Sequence, residues 1–236
     1  MGWYDDDYQY VPVSVKKDKA QKELAKLQKK YDVQPILIEG RKIAKTWWGI
    51  SWCKNLESYA DYENRIARGS AYLKNGFVLD LKILAGQISA LVYGSALYKV
   101  FITIKPLSPE DNAEIVQAVS RRFDSIEHLV SGDFPPELGE LFLTQGKGLF
   151  PSPAEISFDC DCPDSAYMCK HIAAVLYGVG ARLDQDPLLF FKLRKIDVSE
   201  FIKKSAEEKM KSLLKNANKI TPRVIKDANI EEIFGL

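Results

Sequence analysis

The chain has 236 residues, of which 46% are hydrophobic and 28% are charged, and its formal net charge at pH 7 is +1. This composition is typical of a soluble globular protein and excludes collagen-like, mucin-like and wholly disordered chains. No apolar stretch approaches the roughly 18 residues that span a bilayer, and the acidic, aromatic N-terminus does not resemble a signal peptide. The sequence therefore predicts a cytoplasmic protein with no membrane association.

The charge is unevenly distributed along the chain. Residues 14–45 hold ten Lys or Arg against four Asp or Glu, whereas the rest of the chain holds 23 against 28. Within this block, residues 14–31 have apolar side chains at helical spacing: Ala20, Leu24, Leu27 and Tyr31. We expect a lysine-rich amphipathic helix that either packs on the body of the protein or contacts nucleic acid or a partner.

A tryptophan-rich helix and a set of strands follow. The first has one aromatic and apolar face, which is typical of a core helix and consists of Trp48, Trp52, Leu56 and Tyr59. Alternating segments at 70–74, 77–84, 87–93 and 98–104 then predict strands, with Asn75-Gly76 and Ala85-Gly86 as hairpin turns. Together they predict an antiparallel meander of three or four strands.

Three more helices are predicted after the meander. Ser108 is a candidate cap and Pro109 a candidate first residue of the next helix, which continues towards Ile126. A short helix is expected near residues 136–142, and a glycine-rich segment then connects to the cysteine-containing region. The apolar residues between Val198 and Leu214 predict a final amphipathic helix.

Three of the four cysteines are clustered with a histidine in a Cys-x-Cys, six-residue, Cys-x-His pattern made of Cys160, Cys162, Cys169 and His171. In a reducing compartment such clustering points to a metal site before a disulfide. Residues two apart in a strand share a face, so the first pair can present both sulfurs to one ion. The second pair lies at or just before the start of a helix, where the two side chains can converge. Zinc prefers such sulfur and nitrogen ligands, and four protein ligands leave no position for a catalytic water.

The spacing of this motif and the helix that reads HIAAVLY resemble the SWIM zinc finger family. The frame around it, WWGISW, RIARGSAYLKNG, VYGS, LFP and DPLLFFKLR, is similar to bacterial SWIM proteins over roughly residues 43–196. The resemblance implies one structural Zn²⁺ held by the four motif residues. It also implies a partner of the SWI/SNF helicase type and a role linked to DNA or to protein interaction. The segment between the ligand pairs, here called the finger loop, is acidic. Carboxylates repel phosphates, so this composition argues against direct phosphate binding by the loop.

A second surface is a candidate for nucleic-acid contact. Basic and aromatic residues bracket Gly69-Ser70, and with a cation beside the zinc motif the set is Arg65, Arg68, Tyr72, Lys74 and Lys170. The alternative for the arginines is a set of surface salt bridges with Asp61 and Glu63. No phosphate-binding loop, G-x-S-x-G elbow or H-E-x-x-H motif is present, so we expect a protein that is not an enzyme.

These observations predict an α+β protein: an antiparallel meander with helices, a small ββα-like zinc module and a C-terminal helix. The predicted divisions are 1–45 as an acidic tail and helical extension, 46–150 as an α+β domain, 151–196 as the zinc module and 197–236 as helix and tail. We expect an adaptor for a DNA-directed ATPase or a repair machinery. The alternative is a direct nucleic-acid-binding module that uses the basic N-terminal helix, within Lys16 to Lys45, and the loop from Arg65 to Lys74, with DNA as a candidate partner. The oligomeric state is left open by the sequence.

Overall fold

The computed structural model describes residues 11–58, 63–122, 136–144, 146–197 and a few single positions between 199 and 215. Seven α-helices and four β-strands lie in this part of the chain. The helices are α1 (Val13–Gln28), α2 (Trp47–Glu57), α3 (Glu63–Lys74), α4 (Pro109–Arg122), α5 (Pro136–Leu143), α6 (Lys170–Gln185) and α7 (Leu189–Leu193). The strands are β1 (Val78–Leu84), β2 (Gln87–Tyr93), β3 (Leu97–Ile104) and β4 (Ile156–Cys160). The predicted α+β class is confirmed.

The four strands form one antiparallel sheet in the order β1-β2-β3-β4. The hairpin between β1 and β2 turns at Ala85-Gly86, where Gly86 adopts φ 71°, a conformation that glycine adopts without steric cost. The strand that carries the first cysteine pairs with β3 of the meander, with Val100 opposite Cys160 and Ile104 opposite Ile156. The metal-ligating region is therefore an extension of the meander sheet.

Helix α6 fills the centre of the molecule. Its residues are buried along almost the whole length, against one face of the sheet and against α2 and α3. The aromatic face predicted for α2 packs against α6. The indole N–H groups of Trp48 and Trp52 donate to the carbonyl oxygens of Leu183 and Leu176, each at 2.9 Å. These two bonds tie α2 to the middle and to the last turn of α6.

Helix α1 packs on the other face of the sheet. Ala20, Phe77 and Leu79 form a small buried cluster there, with Leu24 and Leu27 at its rim. The predicted stripe of α1 is therefore largely confirmed, except that Tyr31 lies beyond the end of the helix at Gln28 and is exposed. The chain then runs along the free edge of β1, where Ile36 N–H donates to the carbonyl of Val78.

One predicted strand is wrong. Residues 70–74 form the last turns of α3, and Asn75-Gly76 ends that helix instead of turning a hairpin. Gly76 N–H donates to the carbonyl of Leu73, and Gly76 has φ 73°, as expected for a glycine-terminated helix. The alternating pattern over five residues was too short to distinguish a strand from the buried face of a helix.

Two of the remaining helix predictions lie in the described part of the chain and can be compared with the structure. Ser108 caps α4, since its side-chain oxygen accepts the backbone N–H of Asp111 at 3.0 Å, and Pro109 is the first helical residue. Helix α5 confirms the short helix near residues 136–142. Tyr59, Ile126 and most of the predicted C-terminal helix lie outside the described residues. No described helix combines the length and apolar character that a membrane span requires.

An ion pair near β4 ties the region after α7 to the sheet. Arg194 is 1% exposed and donates to Glu155 at 2.6 Å and to the carbonyl of Lys105 at 2.9 Å. Burial raises the pKa of Glu155, but hydrogen bonds from Ser152 and the charge of Arg194 outweigh this effect, so the pKa lies below its usual value. Arg194 therefore connects the end of α7 to the chain segments just after β3 and just before β4.

Helices α3 and α6 approach closely at Gly69. A Cβ atom at this position would lie 2.5 Å from the Cβ of Ala173 and 2.9 Å from its carbonyl carbon. The two helices must separate to make room for the methyl group, and this cost exceeds the gain from the higher helix propensity of alanine. We therefore expect Gly69→Ala to lower the free energy of unfolding by about 1–3 kcal/mol. Urea unfolding measures the change.

Gly139→Ala in α5 is the matched control for this substitution. The added methyl would meet no atom closer than Trp47 Cη2 at 3.4 Å. We expect it to leave stability unchanged or to raise it by up to about 1 kcal/mol. Equal effects of the two substitutions would contradict the close approach at Gly69.

Candidate metal centre

The two ligand pairs come from the end of β4 and the start of α6. Cys160 is the last residue of β4, and Cys162 follows two residues later. Cys169 is the N-cap of α6 with extended backbone, φ −77° and ψ 168°, and His171 lies in the first turn. This half-helical arrangement lets residues two apart converge, as the sequence predicted.

The four side chains form one cluster. Their candidate ligand atoms all lie within 4.8 Å of one another. His171 Nδ1 lies 3.9 Å from the sulfur of Cys160 and 3.9 Å from that of Cys169. A tetrahedral zinc with bonds of about 2.0–2.3 Å separates its ligand atoms by about 3.5–3.8 Å, so the cluster needs only a small contraction.

The chemistry of the donor set identifies the ion. Three thiolates and one imidazole are the ligands of structural zinc, and the four protein ligands complete its coordination. The cluster of Cys160, Cys162, Cys169 and His171 is therefore consistent with one structural Zn²⁺. Cys53, the fourth cysteine, lies in α2 outside the cluster, and burial raises the pKa of its thiol to about 12. Its side chain is half-buried and packs against the core as a small hydrophobic residue.

The thiols differ in acidity even without the charge of an ion. A hydrogen bond from Cys160 lowers the pKa of Cys169 to about 4, and further bonds from His171 and the Ile172 N–H act in the same direction. The pKa of Cys160 is raised, because the same bond to Cys169 favours its protonated form. Helix α6 thus begins on a stabilised thiolate, which is the form that binds zinc.

Aromatic rings enclose the imidazole of His171, which is 1% exposed. Tyr98 stacks on it with a centroid distance of 4.6 Å, and Tyr72 meets it edge-on at 5.4 Å. A Cβ at Gly94 would lie 2.9 Å from His171 Nε2 and 2.6 Å from the ring of Tyr98. Gly94, in the turn between β2 and β3, therefore provides the space that the metal ligand and its stacking partner occupy.

The loop between the ligand pairs is acidic and ordered by contacts. Asp164 forms an ion pair with Arg65 of α3, and Asp161 accepts the backbone N–H of Lys99 at 2.8 Å. Tyr167 is 67% exposed, although its ring edge packs on Phe158 at 5.2 Å and its hydroxyl donates to the carbonyl of Ile156 at 3.1 Å. The loop thus presents a fixed aromatic ring among carboxylates.

The structure places the predicted nucleic-acid residues in three different settings. Arg65 is bound to Asp164, while Arg68 and Lys74 lie exposed on α3. Tyr72 is half-buried between Phe77 and His171, and the ammonium of Lys170 lies 5.8 Å above its ring.

The sequence did not reveal the contact that Lys16 makes, because its ammonium lies 2.5 Å from the hydroxyl of Tyr72 on another helix. Burial and the charge of Lys170 lower the pKa of Lys16. Only the high lysine density of α1 could have indicated a cation here, because the pairing joins residues distant in sequence.

Comparison with known proteins agrees with this geometry. The SWIM zinc finger family model matches residues 159–179, which include all four ligands. The chain is also similar to the uncharacterized protein Rv2102 of Mycobacterium tuberculosis (strain ATCC 25618 / H37Rv), with 35% identity over 155 residues. The alignment covers 64% of this chain and 56% of the relative, so the chain spans about half the length of that protein. No solved structure matches the chain.

Proposed function

We propose that this protein is a non-catalytic adaptor, stabilised by zinc, that binds a DNA-directed ATPase of the SWI/SNF helicase type. The observation that carries the proposal is the fixed, exposed ring of Tyr167 on the finger loop. Exposed tyrosines held in one orientation are favourable interface anchors, because little side-chain entropy is lost when a partner covers them. The choice of an ATPase as the partner rests on the resemblance to SWIM proteins.

The charge around Tyr167 supports a protein partner for this loop. Asp159 and Asp161 are exposed, and Arg65, which reaches the loop from α3, is already bound to Asp164. Lysine and arginine supply most of the charge that holds phosphates, and carboxylates repel phosphates, so the loop is poorly suited to nucleic acid. A basic protein surface with an apolar pocket for the tyrosine ring would complement it.

The closed metal site supports a role without catalysis at the zinc. The described cluster supplies four protein ligands, so no coordination position remains for a substrate or an activated water. In this proposal the zinc holds the loop and the start of α6 in place. The partner then contacts the outer side of the loop.

The test is capture of an ATPase by the full-length, zinc-loaded protein in its native lysate, followed by binding to the purified ATPase. We expect Tyr167→Ser to weaken binding by about 30-fold, the effect of losing an interface anchor worth about 2 kcal/mol. The matched control is Tyr31→Ser, which removes a tyrosine that is 63% exposed at the end of α1. Zinc content verifies that each variant keeps its fold.

Two outcomes would contradict the adaptor role. One is a lysate in which the protein enriches no ATPase. The other is an ATPase that binds Tyr167→Ser and Tyr31→Ser with equal affinity, which would move the interface away from the finger loop.

A further inference from the structure

A cleft lies beside the last residues of β1, at the edge of the sheet. Its volume is about 340 Å³, within the range of about 300–1,000 Å³ that is typical of ligand sites. Side chains of α6 and α7 form its other wall, among them Arg182, Gln185 and Lys192. The segment that runs along this edge forms its last backbone hydrogen bond to β1, among the described residues, at Leu81, whose N–H donates to the carbonyl of Gln34 at 3.0 Å. The end of β1 therefore borders the cleft.

The backbone of Ile83 is available for strand pairing at this edge. The N–H of Leu81 points away from β2, because it donates to Gln34 outside the sheet. Backbone groups two residues apart in a strand face the same side, so the N–H and the carbonyl of Ile83 also point away from β2. In the described part of the chain, nothing on that side accepts the N–H of Ile83. An extended chain in the cleft can therefore pair with this residue.

The charge of the lining favours an anionic ligand. Three cations line the cleft: Lys82, Arg182 and Lys192. Asp186 also lines it, but its Oδ1 already accepts the backbone N–H of the α7 N-cap at 3.0 Å. Neither Arg182 nor Lys192 forms an ion pair with another described residue. Burial lowers the pKa of Arg182, although the charge of Asp80 acts in the opposite direction, so its charged form is stabilised further when an anion binds.

A second cleft continues the first past the turn between β1 and β2. Its volume is about 430 Å³, and it shares three lining residues with the first: Asp186, Leu189 and Lys192. Its lining also includes Ala85 of the turn and the apolar side chain of Ile196. The two clefts together are named the β1-edge groove. A groove of this extent, with both apolar and cationic walls, suits a peptide better than a single small anion.

We propose that the β1-edge groove binds an acidic segment of a partner protein as an added β-strand. The backbone of the segment pairs with Ile83, and its carboxylates contact Arg182 and Lys192. Its apolar side chains pack between them against the walls of the groove. Strands β1 and β4 are the two edges of the sheet, so the groove lies apart from Tyr167, which packs on β4. The proposal is therefore independent of the contact proposed for the finger loop.

The test is fluorescence polarisation of labelled peptides with the full-length, zinc-loaded protein. The probe is a short peptide of alternating valine and glutamate, and its counterpart has lysine in place of glutamate. We expect the glutamate peptide to bind about tenfold or more tightly, because like charges in an interface are strongly unfavourable. Methylation of the backbone nitrogens of the glutamate peptide should abolish binding, since an added strand needs its N–H groups. Equal binding of the glutamate and lysine peptides, or of the methylated and unmethylated ones, would overturn the proposal.

Charge reversal at an exposed lysine locates the binding site. Lys192→Glu should weaken binding of the glutamate peptide by about tenfold, because it places a carboxylate in the groove. The matched control is Lys22→Glu, the same change at an exposed lysine of α1, which should have an effect of less than about twofold. Arg182 is kept in both variants, because it also donates to the carbonyl of Gln34 at 3.1 Å. Equal losses in the two variants would show an effect of net charge alone and would contradict the proposed site.

Hydrogen exchange of single backbone amides distinguishes strand addition from simple attraction of carboxylates. Saturating glutamate peptide should slow exchange of the Ile83 N–H by about tenfold or more, because this group gains a hydrogen bond. The Lys82 N–H is the internal control, since its backbone faces Ser89 of β2 within the sheet. Peptide binding that leaves exchange at Ile83 unchanged would refute strand addition. Free glutamate or single-stranded DNA that binds the groove as tightly as the peptide would refute it too, because either result indicates a general anion site.

Discussion

Chelating the zinc, or substituting Cys169→Ser, is expected to abolish cooperative unfolding of the whole described core. Cys169 is the N-cap of α6, and this helix packs against the sheet, α2 and α3. Structural zinc binding contributes about 10–16 kcal/mol of apparent free energy in finger peptides, which is comparable to the total stability of a domain. Loss of the ion therefore removes the fixed start of the central helix.

Thermal unfolding followed by circular dichroism, with zinc content measured on the same samples, checks this expectation. The matched control is Cys53→Ser, which makes the same substitution in a thiol outside the cluster. We expect the control to keep one zinc and a cooperative transition. Zinc-free protein that retains its helicity and its melting temperature would contradict a structural role for the metal.

The ligand set was predictable because its constraints are local. A Cys-x-Cys pair at the end of a strand and a Cys-x-His pair at the start of a helix leave few ways to orient the side chains. The core face of α2 was predictable for the same reason, since Trp48 and Trp52 are one turn apart. In both cases the spacing within one element determined the outcome.

The contacts that the sequence could not predict join elements that are distant along the chain. The last residues of α3 were predicted as a strand because their short pattern does not reveal that Gly69 must lie against Ala173 of α6. The approach of Lys16 to Tyr72 likewise depends on how α1 crosses the outer face of the sheet. Arg194 is a further example, since nothing near it in the sequence indicates a buried partner.

Substitution of that arginine is expected to produce the second large effect. Arg194→Met should lower the free energy of unfolding by about 3–5 kcal/mol, because it leaves the carboxylate of Glu155 charged and without its arginine partner. The loss also frees the carbonyl of Lys105, which accepts from Arg194 at 2.9 Å. Urea unfolding measures the change, with Lys192→Met as the control for an exposed basic residue two positions earlier.

The double variant Arg194→Met/Glu155→Met separates the cost of an unpaired charge from the value of the pair. If the unpaired carboxylate dominates, the double variant is more stable than Arg194→Met alone, so the two substitutions are not additive. A double variant at least as unstable as the sum of the single variants would contradict this interpretation.

The same pair predicts a dependence on pH with a defined sign. The pKa of Glu155 is lowered from its usual value of 4.5 in the folded protein, so folding favours the charged carboxylate. Its contribution is complete above the usual value and is lost as the pH falls through the lowered one. The difference in unfolding free energy between the wild type and Glu155→Gln should therefore stay constant from pH 7 to about 5.5 and shrink at more acidic pH. A difference that grows on acidification would contradict the ion pair as its source.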